Sequence, residues 1–294
     1  MKGLLVTNGY FSNEATCNQS SRLIEEFSKL FVEVDLLKSN DILTKIGDTS
    51  AIFYNKDGKL LPLPKYDFII YLNKDRYQAE LLESAGYKLF NPVDAIVNCD
   101  DKMLTYQKLV GKVSIPKTIS SPIMYAPNQD DNFLKMVEKE LSYPIIVKTV
   151  YGSMGRGVQK VDNFDGLKKA FTELRMYPHV YQQSVGTVGE DLRITVIGGK
   201  AVSCMKRKNV NDFRSNVELG GVGLNHVPTK NQIDLAEKSA KILNLDYAGV
   251  DILSNGVDDY VCEVNSNAFF KGSESATGVN IAKLYAMHII NKLK

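Results

Sequence analysis

The chain has 294 residues, of which 44% are apolar and 24% are charged, and 36 Lys and Arg stand against 34 Asp and Glu. This length predicts two domains or three small ones, and the composition excludes a disordered chain. The near balance of charge argues against nucleic acid or an anionic membrane as a bulk partner.

The first hundred residues alternate between strand and helix patterns. Strands are predicted at residues 3–7, 32–36, 66–72 and 87–90, and amphipathic helices at residues 20–31 and 75–85. A hairpin is predicted to turn at Asp57 and Gly58. Strands that alternate with helices indicate a parallel sheet, so residues 1–98 are predicted to form an N-terminal parallel α/β domain.

Paired strands dominate the rest of the chain. Asp100 and Asp101 open a predicted helix that ends at Leu109, and residues 114–127 have the breakers of a connection. The other predicted elements are helices at residues 132–141, 232–244 and 279–293, and strands at residues 145–148, 158–161, 180–183, 192–197, 201–206, 249–254 and 260–265. Gly198 and Gly199 form a strong hairpin signal.

No targeting or membrane segment is expected. The first apolar stretch is too short for a signal peptide, and the other apolar runs are far shorter than the ~20 residues of a membrane span. The chain has four cysteines and no CxxC pair, which indicates structural thiols in a reducing compartment. We therefore expect a cytoplasmic protein.

A glycine-rich loop at residues 151–157 directly follows a predicted strand. Glycines let backbone N–H groups come close to phosphate oxygens. No Gly-Lys-Ser/Thr follows, as a Walker loop requires, and the next residues alternate as a strand, whereas a dinucleotide fingerprint opens a helix. The loop is interpreted as a lid over phosphates, and the alternative is a plain hairpin loop that contains glycines.

Two lysines could bind such phosphates. Lys148 ends an apolar strand, where a buried charge needs an anionic partner. Lys102 lies near a helix N-terminus, where the helix dipole also favours anions. The alternative for each is a surface lysine at the end of an element.

Three oxygen donors lie on the two strands near the end of the chain. Glu263 and Asn265 are two residues apart and share a face of their strand, and Asp251 lies on the strand before it. Carboxylate and amide oxygens of this kind suit Mg²⁺. The alternative is a polar sheet face.

The loop between these strands provides a check on the metal site. A two-residue turn at Asn255 and Gly256 would place Asp251 opposite Tyr260, whereas a five-residue loop over residues 255–259 would place it opposite Glu263. Directly opposed carboxylates repel each other unless a cation lies between them. A metal site therefore predicts the wider loop.

Basic residues form a further group, with Arg193, Lys206, Arg207, Lys208 and Arg214. Arginine forks suit phosphate and carboxylate ligands, and the alternative is a solvated basic face. The three histidines lie near no Ser or Cys motif and have no metal-ligand spacing. Nucleophilic catalysis by the protein therefore has no support.

These residues together resemble the ATP-grasp superfamily, and specifically its RimK-like amino-acid ligases. The resemblance runs from about Asn98 to the C-terminus and rests on residues 101–102, 144–148, 151–157, 191–193, 212–216, 248–253 and 263–265. It implies an N-terminal pre-ATP-grasp domain over residues 1–98. A two-lobed module follows, with a central lobe over residues 99–185 and a C-terminal lobe over residues 186–294.

The resemblance also implies roles for individual residues. Asp251, Glu263 and Asn265 would hold two Mg²⁺ ions (Mn²⁺ would also suit them), while Arg207 and Arg214 would be catalytic, with Arg207 near the acyl group. The nucleotide-binding residues would be Lys102, Lys148, Gly152, Ser153, Gly155, Gly157, Gln182, Gln183, Ser184, Val185, Asp191, Arg214, Ser215 and Asn216. Among them, residues 182–185 would receive adenine and Asp191 would lie at the ribose.

The implied reaction is ATP-dependent and needs no protein nucleophile. A substrate carboxylate attacks the γ-phosphate, an amine displaces phosphate from the acylphosphate, and an amide forms with release of ADP and phosphate. The added amino acid would be one such as glutamate, and the acceptor a protein, a peptide or a small molecule. The alternatives are a nucleotide-binding module without turnover, a macrocyclase that modifies peptides, and an ATP-grasp enzyme of another reaction type. We also expect a homo-oligomer.

Two departures from the family pattern are visible. Gln183 stands where relatives often have an acidic residue, although its amide oxygen can still accept a hydrogen bond from adenine. Residues 265–270 lack the Pro-Gly that follows the asparagine in many relatives, and Phe269 and Phe270 are bulky. We expect residues 266–272 to form a narrow apolar wall of the acceptor pocket, and Phe270→Gly to change the substrate.

Overall fold

The structure is a computed structural model that describes residues 1–45, 51–55, 57–124, 130–152, 155–216 and 220–294. Its N-terminal elements are β1 (Lys2–Thr7), α1 (Glu14–Lys29), β2 (Glu33–Lys38), β3 (Ile42–Thr44), β4 (Ala51–Tyr54), β5 (Leu60–Pro62), β6 (Phe68–Leu72), α2 (Arg76–Ser84), β7 (Leu89–Phe90), α3 (Val93–Asp100) and α4 (Lys102–Leu109). The predicted parallel sheet is confirmed, in the order β2-β1-β6-β7. The hairpin at Asp57 and Gly58 is also confirmed, with β3 paired to its first strand.

Capping residues set where several helices begin. Helix α1 begins at Glu14, well before the predicted residue 20, because Asn13 and Thr16 form a capping box. Helix α4 begins at Lys102 as predicted, where the Asp101 side chain accepts hydrogen bonds from the N–H groups of Met103 and Leu104. The amide N–H of Lys102 also bonds the carbonyl of Val150, so the start of α4 is fixed beside the glycine-rich loop.

The next elements are β8 (Thr118–Ser120), α5 (Asn132–Leu141), β9 (Ile145–Thr149), β10 (Val158–Val161), α6 (Phe164–Leu174) and β11 (His179–Gln183). Their strands form an antiparallel sheet in the order β10-β9-β11-β8. The prediction of a plain connection over residues 114–127 is wrong at β8, which pairs with β11. Residues 125–129 of that stretch lie outside the described part of the chain.

The last elements are β12 (Glu190–Ile197), β13 (Lys200–Lys208), β14 (Val222–Asn225), α7 (Lys230–Ile242), β15 (Tyr247–Ser254), β16 (Asp259–Asn265), α8 (Lys271–Thr277) and α9 (Ile281–Leu293). The strands form an antiparallel sheet in the order β14-β13-β12-β15-β16. The hairpin at Gly198 and Gly199 is confirmed. Strand β14 and helix α8 were not predicted.

The pairing of β15 with β16 combines a correct prediction with a wrong one. Asp251 lies directly opposite Glu263, as predicted. The loop is wider than a two-residue turn, as predicted, but its predicted length of five residues is wrong, because Ser254 pairs with Asp259 and residues 255–258 form the connection. The register shifts between Asp251 and Ile252, where Cys262 is an extra residue on β16. This β-bulge, and not the loop, brings the two carboxylates opposite each other.

One hydrophobic core joins the beginning of the chain to its end. Leu5 and Phe68 of the parallel sheet pack in the same cluster as Tyr247, Phe270 and Ile281. Each of these side chains is buried. The parallel sheet is therefore held against the antiparallel sheet of β12–β16. Within the described residues, no helix is long and apolar enough to cross a membrane.

Candidate active site

A cleft between the sheet of β8–β11 and the sheet of β12–β16 collects most of the predicted site residues. The predicted residues that line it are Lys102, Lys148, Gly152, Gly155, Gln182, Gln183, Ser184, Val185, Asp191, Arg207, Arg214, Ser215, Asn216, Asp251 and Glu263. Ser153 lies outside the described residues. Gly157 and Asn265 are not part of this lining.

Lys148 is buried in the cleft and held by a polar chain. Its ammonium group donates to Oε1 of Gln182 at 2.6 Å and lies 3.4 Å from Sγ of Cys262. Nε2 of Gln182 donates to the Thr118 hydroxyl at 2.9 Å, which fixes the orientation of the amide. The side chain of Gln182 therefore holds Lys148. Gln183 is exposed at the end of β11, and residues 183–185 line the cleft.

The charge of Lys148 is maintained by its surroundings. Burial alone would lower the pKa of Lys148, but Cys262, Tyr106 and Glu263 raise it. Burial raises the pKa of the Tyr106 phenol to about 12 and also that of the Cys262 thiol. Since both are neutral at neutral pH, the Glu263 carboxylate supplies the negative charge near Lys148.

Lys102 projects into the same region from the start of α4. Its ammonium group donates to the carbonyl of Gly152 at 3.1 Å and lies 3.6 Å from Oε1 of Glu263. It is 7% exposed, as is Lys148. Two buried ammonium groups therefore face one carboxylate, and the excess positive charge suits a polyanionic ligand.

A chain of buried ion pairs crosses the C-terminal sheet beneath the cleft. Both carboxylate oxygens of Asp191 accept from Arg207, at 2.7 and 2.5 Å. Arg207 also contacts Oδ2 of Asp251 at 2.9 Å, and Arg193 binds both oxygens of Asp251. Burial alone would raise the pKa of Asp251, but the two guanidinium groups hold it below its ordinary value.

Strand register explains how this chain of charges forms. Asp191 on β12 pairs with Arg207 on β13, and Arg193 on β12 pairs with Asp251 on β15. The sequence placed Arg193 among the basic residues suited to phosphate or carboxylate ligands but predicted no individual role for it, although its spacing of two residues from Asp191 places both on one face. The role of Asp191 at a ribose stays a prediction, because Arg207 already binds both of its oxygens.

The predicted metal ligands lie close together on β15 and β16. Asp251 and Glu263 are opposed across the strand pair, and Nδ2 of Asn265 is buried without a partner among the described residues. Rotating that amide would present an oxygen at the same place. Arg193 and Arg207 leave about one of the four lone-pair positions of Asp251 free. The donor set therefore fits a hard cation bound chiefly by Glu263 and Asn265, with a smaller contribution from Asp251.

The glycine-rich loop is connected to the C-terminal sheet by Arg214. Nη1 of Arg214 donates to the carbonyl of Gly155 at 2.8 Å, while Asp212 holds the other side of the guanidinium at 3.0 and 2.7 Å. Gly152, Gly155 and Gly157 all have positive φ. A Cβ at Gly157 would lie 2.3 Å from the Thr149 hydroxyl, so this position requires glycine.

A second cavity lies between the N-terminal sheet and the C-terminal sheet. It shares Arg156, Arg207 and Asn216 with the first cavity. Most of the predicted wall over residues 266–272 lines this cavity, namely Asn267, Ala268, Phe269, Lys271 and Gly272, together with Asn265. Its role as a wall of the acceptor pocket stays a prediction.

The predicted role of Phe270 as a pocket residue is wrong. Its side chain is 1% exposed and belongs to the hydrophobic core, so it cannot contact a ligand in the cavity. Phe269, the preceding residue, is the one that lines the cavity.

Comparisons with known proteins agree with this architecture. The sequence-family model of the RimK-like ATP-grasp domain matches residues 99–289. A probable alpha-L-glutamate ligase of Marinomonas sp. is 30% identical over 91% of this chain and 90% of that protein. Beta-citrylglutamate synthase B of Danio rerio is 32% identical over 72% of this chain and 53% of that protein. The chain thus spans about half the length of the latter relative.

A solved structure shows the same fold over nearly the whole chain. The ATP-grasp ligase PsnB, complexed with a phosphomimetic variant of a minimal precursor, Mg and ADP, has a TM-score of 0.70 at 16% identity and covers 99% of this chain and 98% of that chain. The mixed α/β fold is thus that of the ATP-grasp ligases. The chain belongs to the RimK-like ATP-grasp family of carboxylate–amine ligases.

Proposed function

We propose that the chain forms an amide or peptide bond between a carboxylate and an amine, with ATP converted to ADP and phosphate through an acylphosphate. The observation that carries this proposal is the pair of joined cavities. One is lined by buried cations and opposed carboxylates, and it meets the other at Arg156, Arg207 and Asn216. A nucleotide in the first cavity and an acceptor in the second would meet at these residues.

The nucleotide end of the proposal assigns each group a task. Lys102 and Lys148 bind phosphate oxygens, and the backbone of residues 183–185 with the apolar Ile146 and Leu253 receives the base. Arg214 binds the triphosphate side while it holds the loop at Gly155. Because Gln182 is committed to Lys148, the base is recognised by backbone groups or by Gln183.

The acceptor end of the proposal depends on Arg207. Its Nε and Nη2 atoms are held by Asp191 and Asp251, so the guanidinium has a fixed orientation where the two cavities meet. A rigid cation there orients the substrate carboxylate toward the terminal phosphate and balances charge as the acylphosphate forms. Mg²⁺, held by Glu263, Asn265 and Asp251, would neutralise phosphate charge when bound. The amine then attacks the acyl carbon and phosphate leaves.

The substrates follow from the relatives. We propose that L-glutamate is the added amine, because one relative is named as an alpha-L-glutamate ligase and another as a synthase of beta-citrylglutamate. The carboxylate partner is a small acid or the end of a peptide. We also propose that the chain divides into three regions, with boundaries after residues 98 and 185.

The test supplies the protein with ATP, Mg²⁺ and L-glutamate together with citrate, N-acetyl-L-aspartate or L-glutamyl-L-glutamate. ADP release is measured, and the products are weighed by mass spectrometry. Hydroxylamine in place of glutamate should trap the acylphosphate as a hydroxamate. The matched variant Glu263→Gln should fold normally and release no ADP. Nucleotide binding without ADP release for any carboxylate would favour a binding module without turnover.

A further inference from the structure

Arg156 is the cation of the two cavities whose charge is not accounted for. Every other Lys or Arg that lines either cavity has a carboxylate or carbonyl partner; these are Lys74, Lys102, Lys148, Lys160, Arg193, Arg207, Arg214 and Lys271. Arg156 has no partner among the described residues, although it is one of three residues that line both cavities.

The backbone around Arg156 is fixed on both sides. The carbonyl of Gly155 accepts a hydrogen bond from Arg214 at 2.8 Å, and the carbonyl of Gly157 accepts one from the N–H of Thr149 at 3.0 Å. A Cβ at Gly152 would lie 3.2 Å from the carbonyl oxygen of Arg156, so the loop is closely packed there. These contacts fix the backbone on both sides of Arg156, whose exposed side chain lines both cavities.

The neighbours of Arg156 indicate what it binds. It shares the junction with Arg207 and Asn216, which also carry hydrogen-bond donors. The carboxylates near the junction, Asp191 and Asp251, are already bound by Arg193 and Arg207. Arg156 is thus an unpaired guanidinium beside other hydrogen-bond donors, and the nearby carboxylates are already paired with arginines. Such a group is suited to bind an oxyanion that comes from a ligand.

We propose that Arg156 is a further catalytic residue, which binds an oxyanion of the reacting groups where the two cavities meet. This inference rests on the proposed ligase function. The oxyanion has two possible sources with the same chemistry, the terminal phosphate of the nucleotide and the carboxylate of the acceptor. In either case the fork of Arg156 approaches from the loop, opposite Arg207 in the C-terminal sheet.

The experiment compares wild type with Arg156→Gln and Arg156→Lys. Binding of Mg²⁺ and the ATP analogue AMPPNP is measured by calorimetry, and kcat/KM is measured with citrate, N-acetyl-L-aspartate and L-glutamyl-L-glutamate as carboxylates. Arg156→Gln should lose about 10- to 100-fold in one of the two quantities, as expected when a charge-assisted hydrogen bond is removed. Arg156→Lys should recover part of the loss, because it keeps the charge but not the fork.

The quantity that falls identifies the source of the oxyanion. A loss of AMPPNP affinity assigns the terminal phosphate, and a loss of kcat/KM at unchanged AMPPNP affinity assigns the carboxylate. The matched control is Arg175→Gln, since Arg175 is exposed on the same lobe and, within the described part of the chain, bonds only the Thr172 carbonyl. The control should stay within about twofold of wild type in both measurements.

Two results would overturn the inference. One is that both quantities stay within twofold of wild type in Arg156→Gln, and the other is an equal loss in Arg175→Gln, which would reveal a general charge effect. If the wild type forms no amide with any carboxylate, the proposed function fails by itself. The inference then stands only if Arg156→Gln loses AMPPNP affinity, a measurement that needs no turnover, and an unchanged AMPPNP affinity would overturn it as well.

Discussion

Asp251 shows how a predicted site residue can also hold the fold together. It is 4% exposed, and the guanidinium groups of Arg193 and Arg207 surround its carboxylate. A buried ion pair contributes little compared with an apolar substitute, but removing one partner leaves a buried charge without compensation. The carboxylate that the family pattern assigns to metal is therefore also needed to keep two buried arginines in place.

We expect Asp251→Asn to lower the free energy of unfolding by about 3–5 kcal/mol at pH 7, because Arg193 loses its ionic partner. The folded-state pKa of Asp251 is lowered, so its contribution is complete above the unfolded value of about 3.9 and is lost as the pH falls through the folded value. Urea unfolding at pH 7 and at lower pH should show the variant approaching wild type as the solution becomes acidic. The control is Glu140→Gln, whose exposed pair with Lys117 should matter by less than about 1 kcal/mol. A neutral effect of Asp251→Asn at pH 7 would contradict the structural role.

Lys148 gives the corresponding prediction for the nucleotide. We expect Lys148→Met to weaken binding of AMPPNP by about 10- to 100-fold, because a buried charge-assisted contact with phosphate is lost. Calorimetry measures the affinity, and Lys168→Met is the control because Lys168 is exposed and pairs with Asp131. Wild-type affinity in Lys148→Met would remove Lys148 from the nucleotide site.

At the scale of elements, the sequence predicted what depends on local pattern. Helix α4, capped by Asp101, and the Gly198–Gly199 hairpin lie near their predicted places, because capping and turn residues act over a few positions. The site motifs at Lys102, Lys148 and Glu263 also meet in one cleft, since each lies at the end of a strand or helix whose pattern is plain.

Elements that depend on distant partners could not be predicted in this way. Strand β14 is short and mostly exposed, and only its pairing with β13 makes it a strand. The bulge at Cys262 is invisible in the alternation of β16, so the correct pairing of Asp251 with Glu263 was reached through a wrong loop length. The link from Arg193 to Asp251 likewise depends on the register of β12 with β15.

The glycine-rich loop gives a prediction at the same scale. We expect Gly157→Ala to raise the KM for ATP about tenfold, because its φ of +73° is strained for alanine and its new Cβ would lie 2.3 Å from the Thr149 hydroxyl. Steady-state ADP release measures the effect. Gly199→Ala is a matched control, with φ of +78° but open space around the Cβ position, and should leave the KM unchanged. Equal KM values in the two variants and wild type would mean that the loop conformation does not govern ATP use.

At the scale of the whole molecule, the first and last segments of the chain are stabilised together. Asn91 follows the parallel sheet and donates to the carbonyls of Tyr247 and Ser266, while its own oxygen accepts from the N–H groups of Asp246 and Tyr247. Phe27 and Phe68 of the N-terminal region share a core with Phe270 and the residues of α9. The second cavity lies along this junction, so its shape depends on how the N-terminal sheet docks against the C-terminal one.

The adjacent residues Phe269 and Phe270 allow the effect of core packing on stability to be measured apart from the effect of the second cavity on substrate choice. We expect Phe270→Ala to lower the free energy of unfolding by about 3–5 kcal/mol, because it leaves a cavity in the core that joins the two ends of the chain. Phe269→Ala should change unfolding far less, but should alter the ratio of kcat/KM between citrate and L-glutamyl-L-glutamate by about 1–3 kcal/mol, since Phe269 lines the second cavity. Thermal unfolding and substrate competition measure the two effects, and each variant is the control for the other. If Phe270→Ala changed the substrate ratio at unchanged stability, or if Phe269→Ala reduced activity equally for every carboxylate, the second cavity would not be the acceptor pocket.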